Sequence, residues 1–260
     1  MRTLKLAALP MLLALAAAPA AAQDVKTHLA AGDAARCARS IAGALGHFRE
    51  ALALDSLNYE ANWKASRELA DSGKLMPDSV KAARQSVYAE ALALASRAVR
   101  GDSNGADGHY MVAVAAGRVA LTKSAHERVK SARVVRDAAL EAIALDSVHD
   151  GAMHVMGRWN AEIQRLPGIT KFFARTFLGA SIFKEASWAN ANRYFRDAIR
   201  VNPENIYHHL DFAEALLDQD STVAAQAQLT QVAQLPLGCD AGDPGYKQRA
   251  AALLEKISRH

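Results

Sequence analysis

The residues of this chain that could do chemistry are few, and their spacing argues against it. His149 and His154 stand beside Asp146 and Asp150, residue types able to ligate a metal. Ligand pairs on one helix sit best four residues apart, where both side chains share a face, and a spacing of five turns the second imidazole aside. His208 and His209 are adjacent and point in different directions. No metal site is expected. His-Glu-x-x-His, Gly-x-Ser-x-Gly, Gly-x-Gly-x-x-Gly and Walker-type patterns do not occur. Cys37 and Cys239 lack the spacing of a redox dithiol. The expectation is a protein that is not an enzyme, needs no cofactor and has no catalytic residues.

The elements that would carry these residues are clearer. Glu50-Ala51-Leu52-Ala53-Leu54-Asp55-Ser56 returns as Glu141-Ala142-Ile143-Ala144-Leu145-Asp146-Ser147, with weaker copies at Arg97–Ser103 and Asp197–Pro203. Each copy reads as the end of an amphipathic helix followed by a polar turn. Ala44, Phe48 and Ala51 form a stripe at spacings of four and three, repeated by Ala191, Phe195 and Ala198, by Ala91, Ala95 and Ala98, and by Val135, Ala139 and Ala142. After each turn a new helix opens, at Asn58, Asp107, Asp150 and Glu204, with polar residues suited to cap it. Gly73, Gly101, Gly105 and Gly168 read as punctuation. No stretch alternates with period two, so the chain reads as all-α. Units recurring in this way bury their apolar faces only against their neighbours.

Residues 1–22 read as a signal peptide: Arg2 and Lys5, an apolar stretch broken by Pro10, then Ala20-Ala21-Ala22 before Gln23. The remainder, 23–260, is one helical repeat domain destined for the periplasm or the exterior. The formal net charge of +4 falls further when Arg2 and Lys5 are removed. No dense basic run with interleaved aromatics suggests nucleic-acid binding. In an extended solenoid Cys37 and Cys239 would lie at opposite ends, beyond the reach of a disulfide. They are expected to pack as two separate small residues, and the sequence leaves open whether they are free.

The hairpins resemble tetratricopeptide repeats, which carry a small residue near position eight of the first helix and Ala-x₃-Phe-x₂-Ala on the second. Gly32, Ala113, Gly157 and Ala213 take the eighth place, and Ser66 takes it in the second unit. The repeating alanines lie 47, 44 and 56 residues apart, where the family repeats at about 34, so the helices are longer or linkers are inserted. His154-x-x-Gly157-Arg158-Trp159, a Phe-rich insert, Ala191-x-x-Tyr194-Phe195-x-x-Ala198 with Pro203, and a last helix ending Leu253-Leu254 resemble the regulator of microtubule dynamics family. That resemblance implies a tetratricopeptide-like helical domain without known catalytic residues. Its eukaryotic members are associated with microtubules, which an exported chain would not meet.

Two surfaces then stand as candidates. The resemblance implies that position five of each first helix faces a concave groove; it holds Leu29, Trp63, Tyr110, His154 and Leu210, with Arg67, Arg118 and Arg158 further along the central units. Aromatic area beside guanidinium groups suits an extended peptide or an acidic group. The alternative is that Glu162, Asp71 and Asp107 pair with these groups internally. The second surface is the Phe-rich insert at about 164–188, where Phe172, Phe173 and Phe177 share a stripe flanked by Lys171 and Arg175. It either caps the stack or docks on a partner or membrane.

The sequence therefore predicts an exported superhelical solenoid of four to five hairpins. Its expected role is a protein–protein interaction module that takes another protein or peptide, an acidic one included, in its groove. The alternatives are an envelope-assembly component docking through the insert and a small-molecule-binding or hydrolytic protein using the His154 region.

Overall fold

The computed structural model describes residues 11–77, 79–123, 125–166 and 184–259, and every regular element among them is a helix. In chain order these are α1 (Met11–Cys37), α2 (Ile41–Leu54), α3 (Tyr59–Leu75), α4 (Lys81–Gly101), α5 (Ala106–Leu121), α6 (Ala125–Leu145), α7 (Asp150–Arg165), α8 (Trp188–Val201), α9 (Ile206–Leu217), α10 (Thr222–Gln234) and α11 (Asp243–Ser258). The first ten pair consecutively into five hairpins, each stacking on the next, and α11 packs on α10 and α9. The odd-numbered helices α3, α5, α7 and α9 also touch in sequence, forming the inner wall.

The repeated heptapeptide has a physical explanation. At Asp55, Asp102, Asp146 and Asn202 the backbone N–H closes the helix onto the carbonyl of the alanine four residues earlier, each at 2.9 Å. The carboxylates of Asp55, Asp102 and Asp146 then accept the N–H two residues on, at 3.2, 2.9 and 3.0 Å. One short acid thus ends the helix and shapes the turn. The next helix is capped within a few residues: Asn58 Oδ1 accepts from Ala61 N at 3.0 Å, and Asn205 Oδ1 from Tyr207 N at 3.0 Å.

Small residues let the paired helices approach. Ala44, Ala51, Ala91, Ala95, Ala98, Ala139, Ala142, Ala191 and Ala198 have no exposed surface, and neither has Phe48. A Cβ on Gly32 would meet the Phe48 ring at 2.3 Å, and one on Gly157 would meet Phe195 at 2.9 Å. Ser66 is buried and donates to the Ala91 carbonyl at 2.7 Å. Gly73 is not punctuation. It lies inside α3, where a Cβ would stand 2.3 Å from the Tyr88 ring, so it is a packing position of the same kind.

The ends of the solenoid are not separate, which corrects the expectation for the cysteines. Cys37 and Cys239 form a disulfide across 202 residues. The superhelix curls far enough to bring its last loop back to the first hairpin. There Arg39, in the left-handed region at φ 58°, donates to the Gly238 carbonyl at 3.1 Å. The inference from an extended stack failed because curvature accumulates from small rotations at every unit. The stripe of Phe172, Phe173 and Phe177 lies outside the described residues. Among the described residues no helix is long and apolar enough to cross a membrane.

Candidate functional site

The inner wall and the returning C-terminal segment enclose a cavity of about 890 Å³. Trp63 and Arg67 of α3, Tyr110 and Arg118 of α5, and His154 and Arg158 of α7 all line it, so the predicted groove residues are brought together. They share the space with residues not foreseen: Arg36 at the end of α1, Lys74 of α3, Tyr207 and His208 of α9, the loop through Gly238, Cys239 and Asp240, and Tyr246 of α11.

At the α7 end the arginine and the histidine both face a carboxylate, although His154 Nε2 and Asp211 Oδ2 are themselves buried without a well-formed hydrogen bond. Arg158 pairs with Asp211 at 3.1 Å, reaches Glu162 at 3.8 Å and donates to the Tyr207 hydroxyl. His154 is buried, lies 3.1 Å from Asp211 through Nε2 and shares a hydrogen bond with His208 Nδ1 at 3.0 Å. His208 in turn meets Asp150 at 2.9 Å. Burial holds the His154 imidazole down to about 4, with His208 and Arg158 adding to that against the opposing pull of Asp211. Burial opposes ionisation of Asp211 as well, but Arg158, His154 and Lys74 together outweigh it and keep that carboxyl well below the usual range. At neutral pH the charge compensating Asp211 is therefore Arg158, beside a neutral His154. Asp150, against its own burial, is held at about 2 by the hydrogen bond and charge of His208 and by Asn202. Of the predicted site, His154 and Arg158 are thus fixed by an internal network, and the partner that fixes Arg158 most closely is Asp211 rather than Glu162.

The α3 end is not saturated. Arg36 binds Glu68 at 2.7 Å and Asp71 at 3.0 Å, which raises its pKa against the cost of burial. Arg67 is left to share Glu68, through Nε at 3.1 Å. Its Nη2 is buried without a hydrogen-bond partner, and so is the indole Nε1 of Trp63. The two lie side by side, the guanidinium 5.1 Å from the Trp63 ring. Burial, then the like charge of Arg36, lowers the Arg67 pKa. Two spare buried N–H donors on cavity-lining residues are costly unless something accepts from them.

Between these ends, Lys74 crosses to the C-terminal segment. Its ammonium lies 3.5 Å from the centre of the Tyr207 ring and 4.2 Å from that of Tyr246, and it donates to the Tyr246 hydroxyl. The two rings stack 4.7 Å apart. Burial and the neighbouring Arg118 bring Lys74 down to about 7, against the pull of Asp211, Asp240 and Asp71. His149, weighed in the sequence as a metal ligand, instead caps α7 by accepting from Ala152 N at 3.1 Å and rests on Tyr110 with ring centres 4.7 Å apart. His209 bonds Gln228 and the Pro203 carbonyl.

The model of the family described as regulator of microtubule dynamics protein 1-3 matches residues 28–258. The chain belongs to this family. Among solved structures, this regulator of microtubule dynamics family member is similar to TTC0263, a tetratricopeptide protein of Thermus thermophilus, at 16% identity and a TM-score of 0.65 over 89% of this chain and 99% of that one. It is also similar to pilF of Pseudomonas aeruginosa, at 14% identity and a TM-score of 0.53 over 92% and 93% of the two chains. No curated protein matches. The fold is therefore a tetratricopeptide-type helical solenoid, as the hairpin pattern implied.

Arg36, Lys74, Tyr207 and Tyr246 escaped the sequence reading because they lie outside the repeating positions of the central units. One signal was present. Two cysteines in a chain expected to be exported would, if bonded, have placed the Cys239 loop and the Tyr246 helix across the groove.

Proposed function

We propose that this protein is an exported protein-interaction module whose central cavity receives a short segment of a partner, through oxygens that accept from Trp63 and Arg67. The observation that carries this reading is the pair of donors, Trp63 Nε1 and Arg67 Nη2, buried and unpartnered on two residues that line the cavity, where a ligand that turns these side chains would satisfy both. A carboxylate side chain serves them best, since a charge-assisted bond is stronger than a neutral one. Arg36 and Arg158 are already paired with carboxylates, while Lys74 and Arg118 lie against Tyr246 and Tyr207 and add positive charge to the same cavity. The volume of about 890 Å³ falls within the span of compact ligand pockets, which favours a few residues over a long extended strand. Arg2, Lys5 and Ala20-Ala21-Ala22 support export, as does a disulfide, a bond that persists in oxidising compartments.

The test is selection of a random-peptide display library against the oxidised protein. Recovered binders should be enriched in Asp and Glu, and the double variant Trp63→Phe, Arg67→Gln should weaken them more than tenfold while helical content by circular dichroism stays unchanged. Binders indifferent to that variant would remove the corner from the function.

A further inference from the structure

Outside the cavity, on the first hairpin, a second cluster faces solvent. His28 of α1 and His47 and Glu50 of α2 bring their ligating atoms within 4.8 Å of one another. His28 Nδ1 lies 2.8 Å from Glu50 Oε2, and His47 Nδ1 lies 3.2 Å from the same oxygen. The two imidazole rings are 6.0 Å apart and tilted. None of the three lines the cavity.

The backbone beneath each side chain is fixed. His28 precedes buried Leu29, His47 precedes Phe48, and Glu50 precedes Ala51, the last two with no exposed surface. Gly32 seats the Phe48 ring and locks α1 against α2 at this level. His47 and Glu50 are three apart on one helix and so share a face, while His28 arrives from the facing helix. Three donors are thereby held on two rigid elements, with half-exposed side chains that leave an ion a way in.

Two imidazole nitrogens and one carboxylate oxygen form a donor set suited to zinc, with three protein ligands and a fourth position open. Zinc–ligand bonds of about 2.0–2.1 Å in tetrahedral geometry put neighbouring donors roughly 3.3 Å apart. Two of the three edges are already at 2.8 and 3.2 Å, and the third closes by side-chain rotation. We propose that His28, His47 and Glu50 form a divalent transition-metal site, with zinc as its best-suited ion, that clips α1 to α2 and leaves one coordination position for water or an outside ligand.

The experiment uses the full, untagged, oxidised chain. Equilibrium dialysis against zinc should show one bound equivalent, and cobalt substituted for zinc should show visible ligand-field bands. His28→Ala, His47→Ala and Glu50→Gln should each weaken zinc binding at least tenfold and abolish the cobalt bands, while His109→Ala on α5 leaves both unchanged. Glu50→Gln keeps the size of the side chain, so its effect is separable from loss of fold, and circular dichroism checks this directly. Failure to retain zinc, or equal retention by all four variants, would overturn the proposal.

Discussion

The walls at α3 and α7 carry nearly the same pattern and reach opposite outcomes. In both, a ring occupies the fifth residue of the helix and an arginine follows four later: Trp63 and Arg67, His154 and Arg158. Arg158 is locked by its neighbours, whereas Arg67 retains an unpartnered nitrogen. What differs is the sixth residue of the next inner helix. Facing Arg158 it is Asp211 of α9; at the equivalent place on α5 it is Met111, which is buried and apolar. A repeat position is therefore made structural or available by the unit that follows it rather than by its own residues.

The contrast is broken most severely at Asp211. Asp211→Ala empties a buried position, strips the half-buried Arg158 of its main compensating charge and removes the carboxylate that faces His154. The expected cost is about 3–5 kcal/mol of stability, read by denaturant unfolding, whereas the same loss should not follow from Arg67→Ala. A stability change under 1 kcal/mol at Asp211 would mean that the two walls are energetically alike. Next in size is the bond that sets the two ends of the curl together. Replacing Cys37 and Cys239 by serine should cost about 2–5 kcal/mol and expose Lys74 to amine-selective labelling, as the C-terminal segment leaves Tyr207 and the cavity mouth; unaltered labelling would show that the aromatic cage closes the ring unaided.

Acidification gives a more gradual separation. His154 titrates near 4 in the fold against 6.5 for a free imidazole, so the fold takes up its proton only after the unfolded chain has. The sign follows from linkage: stability present above about pH 6.5 is lost as pH falls toward about 4. His154→Gln should flatten that slope in thermal melts. An unchanged slope would assign it to other groups. Lys74 acts in a different window, with a folded value near 7 against 10.5: stability declines as pH falls from about 10.5 to about 7, and Lys74→Met should remove that decline.

The hairpins were legible because a few local rules specify them. The alanine stripes, the acids that close each helix and the Gly32–Phe48 and Gly157–Phe195 fits all act within one unit or between adjacent helices. The convergence of Trp63, Tyr110, His154 and their arginines on one cavity followed from the same repetition. What stayed hidden depends on distant residues. Whether Arg158 is free turns on Asp211, 53 positions away, and the roof over the groove turns on total superhelical curvature, a sum over all five hairpins that no single repeat encodes. Gly73 misled because a glycine near a helix end and a glycine under a ring look identical in a string.

An open solenoid can fray from either terminus, one repeat at a time, because each unit leans only on its neighbours. With Cys37 tied to Cys239, the run from α2 through α10 forms a closed circuit, and only α1 and α11 hang outside it as tails. Strain introduced at one repeat must be redistributed around a closed circuit, and a single backbone cut anywhere between the two cysteines would open the circuit without releasing a fragment.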